Sequence, residues 1–530
     1  MMSFHLRIAA SALLLSLIAP RATTAEDMPR VEWRDGRMML RVDGKPFLIL
    51  AAQLHNSSAW PARLPAAWAA AEAMAANTIE APVYWEQLEP ARGRYDTTNV
   101  DALVAKARLS GKRLILLWFG TWKNGQNHYA PTWVRADPIA FPRMIDARGE
   151  PIDVLSPHAP SNLDADRTAF VALMRHLRAT DGDRHTVIAV QVENEPGAIG
   201  AIRDHGAAAE AAFADTVPAD LVAKLGRKPG RWRAVFGPDA EEAFGAWATA
   251  RYIERVAAAG KAANPLPVYV NTWLRYKDKK YPGIDYPSGG AVWTMLDLWK
   301  AAAPSVDFIG TDIYTDDAGE YRKVLDQYAR ADNPSWVSET GFDAKTAPFL
   351  FYVLQRGGVG FSVFGIDADP VTPATEAATA AHRANFLMLD PIRALVAQAA
   401  FDRRLYAAVE EPGRAKQMLS LSDGWAAQLS FGPPPWGDTP AILANSPSQS
   451  GRAMVIRLGT DDWLVSGIDT RVEFLRTAED GRHGQLLRVE EGEMRDGVWH
   501  ATRWLNGDET DYGLNFGPVP RLLRVRTGSY

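Results

Sequence analysis

The 530-residue chain contains no cysteine. That removes disulfide staples, thiolate metal centres and a cysteine nucleophile together. It also lacks an excess of either charge. Lys and Arg number 58 against 63 Asp and Glu, a formal net charge of −5, which leaves no electrostatic footprint for nucleic acid. No apolar run is long enough to span a bilayer. The longest, Ile8 to Ala19, follows Arg7 and precedes the small residues Thr23-Thr24-Ala25. This is the pattern of a secretory signal rather than of a spanning helix. Residues 1–25 are therefore expected to be a signal peptide, and the mature protein to be secreted or periplasmic with no membrane span. His128 and His158 have no metal-like spacing with nearby acids, so neither a metal nor another cofactor is expected. There is no low-complexity tract and no fixed-period repeat of the solenoid kind.

What is present is an ordinary globular balance, 47% hydrophobic and 23% charged, with chain enough for a large domain and a smaller one. The 18 Trp exceed ordinary usage for this length. Indole faces stack on sugar rings as well as pack cores, which points toward a carbohydrate partner.

The chain is organised around Val187 to Gly197, Val-Ile-Ala-Val-Gln-Val-Glu-Asn-Glu-Pro-Gly. Its first six residues are apolar or neutral, as in a strand covered on both faces. Then Glu193, Asn194 and Glu195 arrive together, closed by Pro196 and Gly197, which end a regular element. Carboxylates at the C-terminal lip of a buried parallel strand sit where α/β barrels do chemistry.

Around this stretch runs a βα rhythm. Strands are expected at 47–51, 78–82, 113–118, 187–192, 268–271, 306–311, 335–338 and 360–364, with amphipathic helices between them and a last helical region over 374–398. Eight strands in alternation predict an α/β fold, a closed TIM (β/α)8 barrel rather than an open sheet. The wide gaps on either side of the fourth strand predict two insertions, 121–160 and 198–237, hanging from the active face. Before the barrel, Asp35-Gly36 and Asp43-Gly44 predict hairpins that plug or flank its start. Beyond about residue 400, short strand candidates separated by turns, among them Asp423-Gly424 and Asp496-Gly497, predict an antiparallel β-sandwich. Pro433 to Gly437 reads as a loop. The expected domains are 1–25 signal, 26–398 barrel with its N-terminal hairpin, and 399–530 sandwich.

A second carboxylate closes the argument. The seventh strand ends Ser335-Trp336-Val337-Ser338-Glu339, and Glu339 has the same placement as Glu195. Strands four and seven lie across one barrel mouth, so the two glutamates can flank a substrate. Paired carboxylates suit glycoside hydrolysis: one donates a proton to the leaving oxygen while the other attacks or stabilises the anomeric carbon. Other polar or aromatic residues at strand ends are candidate sugar contacts: His55, Trp85, Trp122, Tyr314 and Asp367, with Trp118, Trp273, Trp293, Asn56 and Asp312 behind them.

These residues carry a resemblance. Gln191 to Gly197 is similar to the acid/base motif of glycoside hydrolase family 35, the β-galactosidases, which belong to a clan of retaining barrels with glutamates at strands four and seven. Ser338-Glu339 resembles that family's nucleophile segment. Asn77-Thr78-Ile79, Trp85, Glu89-Pro90 and Gly93-Arg94-Tyr95-Asp96 resemble its second-strand signature, and Pro131-Thr132-Trp133 resembles the loop after its third strand. The resemblance spans roughly residues 38–370. It implies Glu195 as general acid/base, Glu339 as nucleophile, and Asn194 as the residue bonding the sugar 2-hydroxyl, in a retaining exo-β-galactosidase of the kind that trims plant polysaccharides such as xyloglucan. The chain departs from the family's Ala-Glu-Trp after strand three, where it has Phe119-Gly120-Thr121-Trp122-Lys123-Asn124 with no acid. Two rivals therefore stay open: a retaining hydrolase of the same clan with another sugar specificity (β-glucosidase, arabinosidase or endo-glycanase), and a non-catalytic glycan-binding protein.

Overall fold

The computed structural model describes residues 28–432, 449–495 and 497–530. The signal segment, the Pro433 to Gly437 loop and the turn residue Asp496 lie outside them.

Eight parallel strands form the main sheet: Ile49–Gln53, Thr78–Tyr84, Arg113–Lys123, Val187–Asn194, Val268–Val270, a sixth in two pieces, Trp336–Thr340 and Gly360–Phe364. Every residue of the second and fourth strands is buried, as expected when helices cover one face and the barrel interior fills the other. The sheet runs sixth-fifth-fourth-third-second-first-eighth-seventh-sixth, so it closes on its own sixth strand. That strand is expected as one run but is broken at Gly310. Phe308–Ile309 pairs with the fifth strand and Thr311–Ile313 with the seventh. A Cβ at Gly310 would lie 2.3 Å from Ser338 Oγ, so only glycine lets the seam close here.

Strand three is longer than expected and reaches Lys123. Trp118 pairs with Val192, yet Lys123 pairs with Asn194. Three more residues lie on the third strand than on its partner over this interval, a bulge that re-aims the strand end. The last helical region is also divided, into Pro373–Leu389 and Arg393–Phe401, by a short 3-10 turn containing a proline.

Both N-terminal hairpin turns form, with Asp35, Gly36, Asp43 and Gly44 all at positive φ, the two-residue geometry that matches strand twist. The three-stranded sheet they make (Arg30–Arg34, Arg37–Val42, Lys45–Phe47) sits at the barrel's N-terminal end. Asp43 ties it to Arg113 and His185, which precede the cores of strands three and four. The candidate site lies at the opposite end, where the strands finish.

Among the described residues, the C-terminal region contains a six-stranded and a four-stranded antiparallel sheet. Helix Arg393–Phe401 crosses the expected boundary at 399, and the first of these strands begins at Leu405. Strand alternation explains how the region is held. Leu405, Ala407, Val409, Met454, Ile456 and Leu464 join the barrel's apolar core, while Ala408, Ala453, Val455, Trp463 and Val465 join the sandwich core. Successive side chains on a strand face opposite ways, so one layer serves two cores. At about 1.5–3 kcal/mol per large apolar side chain removed from water, this shared layer fastens the two parts firmly.

The two insertions meet each other above strand four. The first contributes the hairpin Arg143–Ile145 and Pro151–Leu155. Asp204, in the second, accepts hydrogen bonds from Ile145 N at 3.0 Å and Ser156 Oγ at 2.5 Å.

Candidate active site

At the C-terminal end of the strands, Glu195, Asp312 and Glu339 converge, each offering a carboxylate oxygen within 4.8 Å of the others, and all three are buried. They come from the ends of strands four, six and seven. Fold geometry alone brings them together, because these residues are far apart in sequence.

The end of strand four is bent to deliver its acid. Glu193 and Glu195 both have positive φ, 63° and 46°, conformations that cost about 1–3 kcal/mol in a non-glycine residue. Surrounding bonds hold them. Glu195 N donates to Asn271 Oδ1 at 2.7 Å, and its carbonyl accepts from Gly125 N at 3.0 Å. Burial, then the charge of Glu339, pushes the Glu195 carboxyl up to about 7, against a downward pull from Lys123. Asp312 is raised by burial and by both glutamates, and shares a hydrogen bond with Glu195. A single proton between these two neighbours satisfies both.

Glu339 is surrounded by donors. Gln53 Nε2 donates to Oε1 at 2.9 Å, Asn271 Nδ2 reaches the same oxygen at 3.4 Å, and Tyr314 Oη donates to Oε2 at 2.7 Å. These donors occupy both carboxylate oxygens and fix their direction. Asp312 accepts from Asn271 Nδ2 and Ser338 Oγ, both at 2.8 Å. Four of the trio's six oxygens are thus already bonded to N–H or O–H groups. A hard cation would require a full shell of oxygens, so the arrangement suits proton transfer and nucleophilic attack better.

Glu193 shares strand parity with Glu195 but serves a different cluster. Its Oε2 accepts from Trp122 N at 2.7 Å, and its carboxyl is raised by burial and by the neighbouring Asp166. Asp166 in turn accepts from Trp118 Nε1 at 2.9 Å and Thr121 Oγ1 at 2.8 Å. A Cβ at Gly120 would lie 2.8 Å from Glu193 and 2.9 Å from Asp166. The third-strand bulge therefore wraps this acid pair.

The remaining candidates divide. His55 Nδ1 lies 3.0 Å from Asp367 Oδ1, which also accepts from His55 N at 2.9 Å. Burial acts upward on Asp367, but hydrogen bonds from His55 and Ser58 outweigh it and hold the carboxyl below its usual range. His55 and Tyr314 both pack edge-on to Phe364, which places the His55–Asp367 pair on the same rim as Glu339. Tyr314 is 49% exposed, with its ring on the rim and its hydroxyl on the nucleophile candidate. Trp273 and Trp293 are also partly exposed, and Trp273 bridges to Asp312.

Two sugar-stacking expectations are corrected. Trp85 is fully buried, donates from Nε1 to Glu89 Oε2 at 3.0 Å, and packs against Trp118 and Trp133. Trp122 is 1% exposed, with its ring edge-on to Tyr252 at 4.9 Å. Neither has a free face for a sugar ring. Both lie at strand ends, where sequence does not distinguish a platform from a core residue. Trp118 is likewise buried.

Four participants were not singled out from sequence. Gln53 and Asn271 are the amides that orient the acids. Lys123 stands beside Asn194. Glu80 lies inside strand two, fully buried, its carboxyl raised by burial and by Glu339. Glu80 and Asn271 had a legible signal: a polar residue in or at the end of an otherwise apolar strand.

Comparison with known proteins adds the following. A family described as a domain of unknown function, DUF5597, matches residues 382–517. A β-galactosidase of Xanthomonas manihotis is 28% identical over 196 residues, which is 35% of this chain and 29% of that protein; the match spans less than a third of the relative's length. Among solved structures, the β-galactosidase from Bacillus circulans sp. alkalophilus aligns with a TM-score of 0.48 at 11% identity, covering 66% of this chain and 57% of that one. The cold-adapted β-galactosidase from Rahnella sp. R3 aligns at 0.46 and 15%, with the same coverage.

Proposed function

We propose that the chain is a retaining exo-β-galactosidase that removes terminal β-D-galactosyl residues from plant-type oligo- or polysaccharides, such as xyloglucan fragments, outside the cytoplasm. One observation carries the reading: Glu195 and Glu339 project from strands four and seven with carboxylate oxygens within 4.8 Å. Retaining enzymes hold their carboxyl groups about 5–5.5 Å apart, whereas inverting ones leave about 6.5–9.5 Å for a water. The local similarity to a β-galactosidase supports the sugar.

The steps follow from the environments. Glu339, oriented by its three donors, attacks the anomeric carbon through a carboxylate oxygen. Glu195, protonated because it is buried beside Glu339, gives its proton to the glycosidic oxygen as that bond breaks, and the aglycone leaves as an alcohol. Glu195, now ionised, takes a proton from water, whose oxygen attacks the anomeric carbon and frees Glu339. Tyr314 keeps its proton, being pushed upward by burial and by Glu339, and donates to the nucleophile throughout. Asn194 bonds the sugar 2-hydroxyl.

A panel of nitrophenyl glycosides tests the sugar, with NMR of the first-formed anomer testing the stereochemistry. The β-galactoside is expected to be the best substrate, releasing β-galactose first. Release from another sugar alone would select a different specificity in the same barrel, a reading favoured by the absence of an acid at the third-strand end. Initial release of the α-anomer would overturn double displacement. Absence of turnover on every glycoside would leave only glycan binding.

A further inference from the structure

The end of strand three presents a buried cation to the site. Lys123 is 5% exposed, and its Nζ lies 4.9 Å from the centre of the Phe119 ring. The Asn194 side-chain amide, with its oxygen turned toward the lysine, accepts from Nζ at 3.1 Å. Lys123 forms no ion pair among the described residues, although Glu195 is near enough to feel its charge. An ammonium has three donors. One reaches Asn194 and the charge rests partly on the aromatic face, which leaves donors for another acceptor. Burying a cation is costly unless it is paired and hydrogen-bonded.

Its position is built in. The bulge between Trp118 and Lys123 places Lys123 opposite Asn194 in the sheet. Asn124 N donates to the Asn194 carbonyl at 3.1 Å, and Lys123 N pairs with Gln126 O at 2.9 Å. The bulge is clamped by Glu193 on Trp122 N and by Asp166 on Thr121.

We infer that Lys123 is a specificity-determining contact: it donates a hydrogen bond to an oxygen of the bound sugar beside the hydroxyl read by Asn194. An ammonium donates only, so this subsite selects an oxygen that can accept, whereas a carboxylate there would select a free hydroxyl that donates. The inference rests on the glycosidase reading above.

The test is a cycle between residue and substrate. kcat/KM is measured for wild type, Lys123→Met and Lys123→Gln on nitrophenyl β-galactoside and on its monodeoxy analogues at each ring hydroxyl. In wild type, one analogue is expected to lose about 10–100-fold through removal of a bond to a charged donor. In both variants that analogue should react like the parent sugar, while the other penalties persist. Lys123→Arg should restore part of the discrimination. Variants too slow to assay are read by calorimetric binding of the same analogues to Glu339→Gln with and without Lys123→Met. Equal penalties in wild type and variants would overturn the inference. So would a rise in the alkaline limb of the pH profile as the sole effect, with every analogue's penalty unchanged, since Lys123 would then act only through Glu195. A wild type active on glycosides but showing no such coupling removes this inference alone; a wild type inactive on all of them removes the glycosidase reading with it.

Discussion

Tyr314 donates a 2.7 Å hydrogen bond to Glu339 Oε2, from the loop after strand six to the end of strand seven. The bond fixes the direction of the carboxylate, and burial together with Glu339 keeps the phenol protonated. Tyr314→Phe removes one donor to a charged acceptor, an interaction of about 1.5–3 kcal/mol. We expect kcat to fall about 10–100-fold with little change in thermal stability, checked by steady-state kinetics beside a melting curve. An unaltered kcat would remove Tyr314 from the mechanism.

Glu339→Gln and Glu195→Gln should each lower kcat by roughly 10²–10⁴-fold or more, but in distinguishable ways. Loss of the acid matters less when the leaving group is already acidic. Glu195→Gln should therefore retain more activity on a dinitrophenyl glycoside than on a natural disaccharide, and Glu339→Gln should be poor on both. The ratio of the two rates in each variant is the measurement.

As the proposed acid, Glu195 must carry a proton, and its carboxyl is pushed up to about 7. Its acid form is complete well below that value and is lost as pH rises through it. A pH profile of kcat/KM should thus fall on an alkaline limb near neutrality. The limb should move upward when Lys123, which pulls this carboxyl downward, is neutralised. A profile that stays flat into the alkaline range would contradict the assignment.

Glu80 and Glu193 are buried carboxyls raised by burial first. A group that binds its proton more tightly when folded contributes stability in full below its unfolded value, about 4.3. That contribution is lost as pH rises through the folded value. Glu193→Gln retains the shape of the acid form and an oxygen for Trp122 N. Urea unfolding of this variant should match wild type in mild acid and exceed it in alkali. Glu193→Ala, which leaves the Asp166 cluster unsatisfied, should be destabilised at both pH values.

Trp85→Ala tests the corrected assignment. A fully buried indole removed from a core costs about 3–5 kcal/mol. We expect a large drop in melting temperature and, in the folded fraction, an unchanged KM. A raised KM with normal stability would restore Trp85 to the substrate.

The barrel was legible in sequence because burial on both faces writes itself as apolar strands, and Glu195 and Glu339 were legible because each interrupts such a strand at its end. The hairpin turns were equally plain, since Asp-Gly supplies the positive φ they need. Other features depend on packing between distant segments. Nothing local in Thr311 to Ile313 announces a strand broken at Gly310; the break is set by Ser338 across the seam. Trp85 and Trp122 sit at strand ends as a sugar platform would, and only their neighbours Trp118, Trp133 and Tyr252 show that their faces are covered. Glu193 and Glu195 share strand parity, but two left-handed residues turn them into separate clusters, Glu193 into a supporting polar network. Sequence alone determined which strands exist and that two of them end in glutamate, because periodicity and burial are local properties. The tertiary structure decided which polar groups meet those glutamates. Gln53, Asn271 and Asp312 come from different strands, and only closure of the barrel brings them within bonding distance.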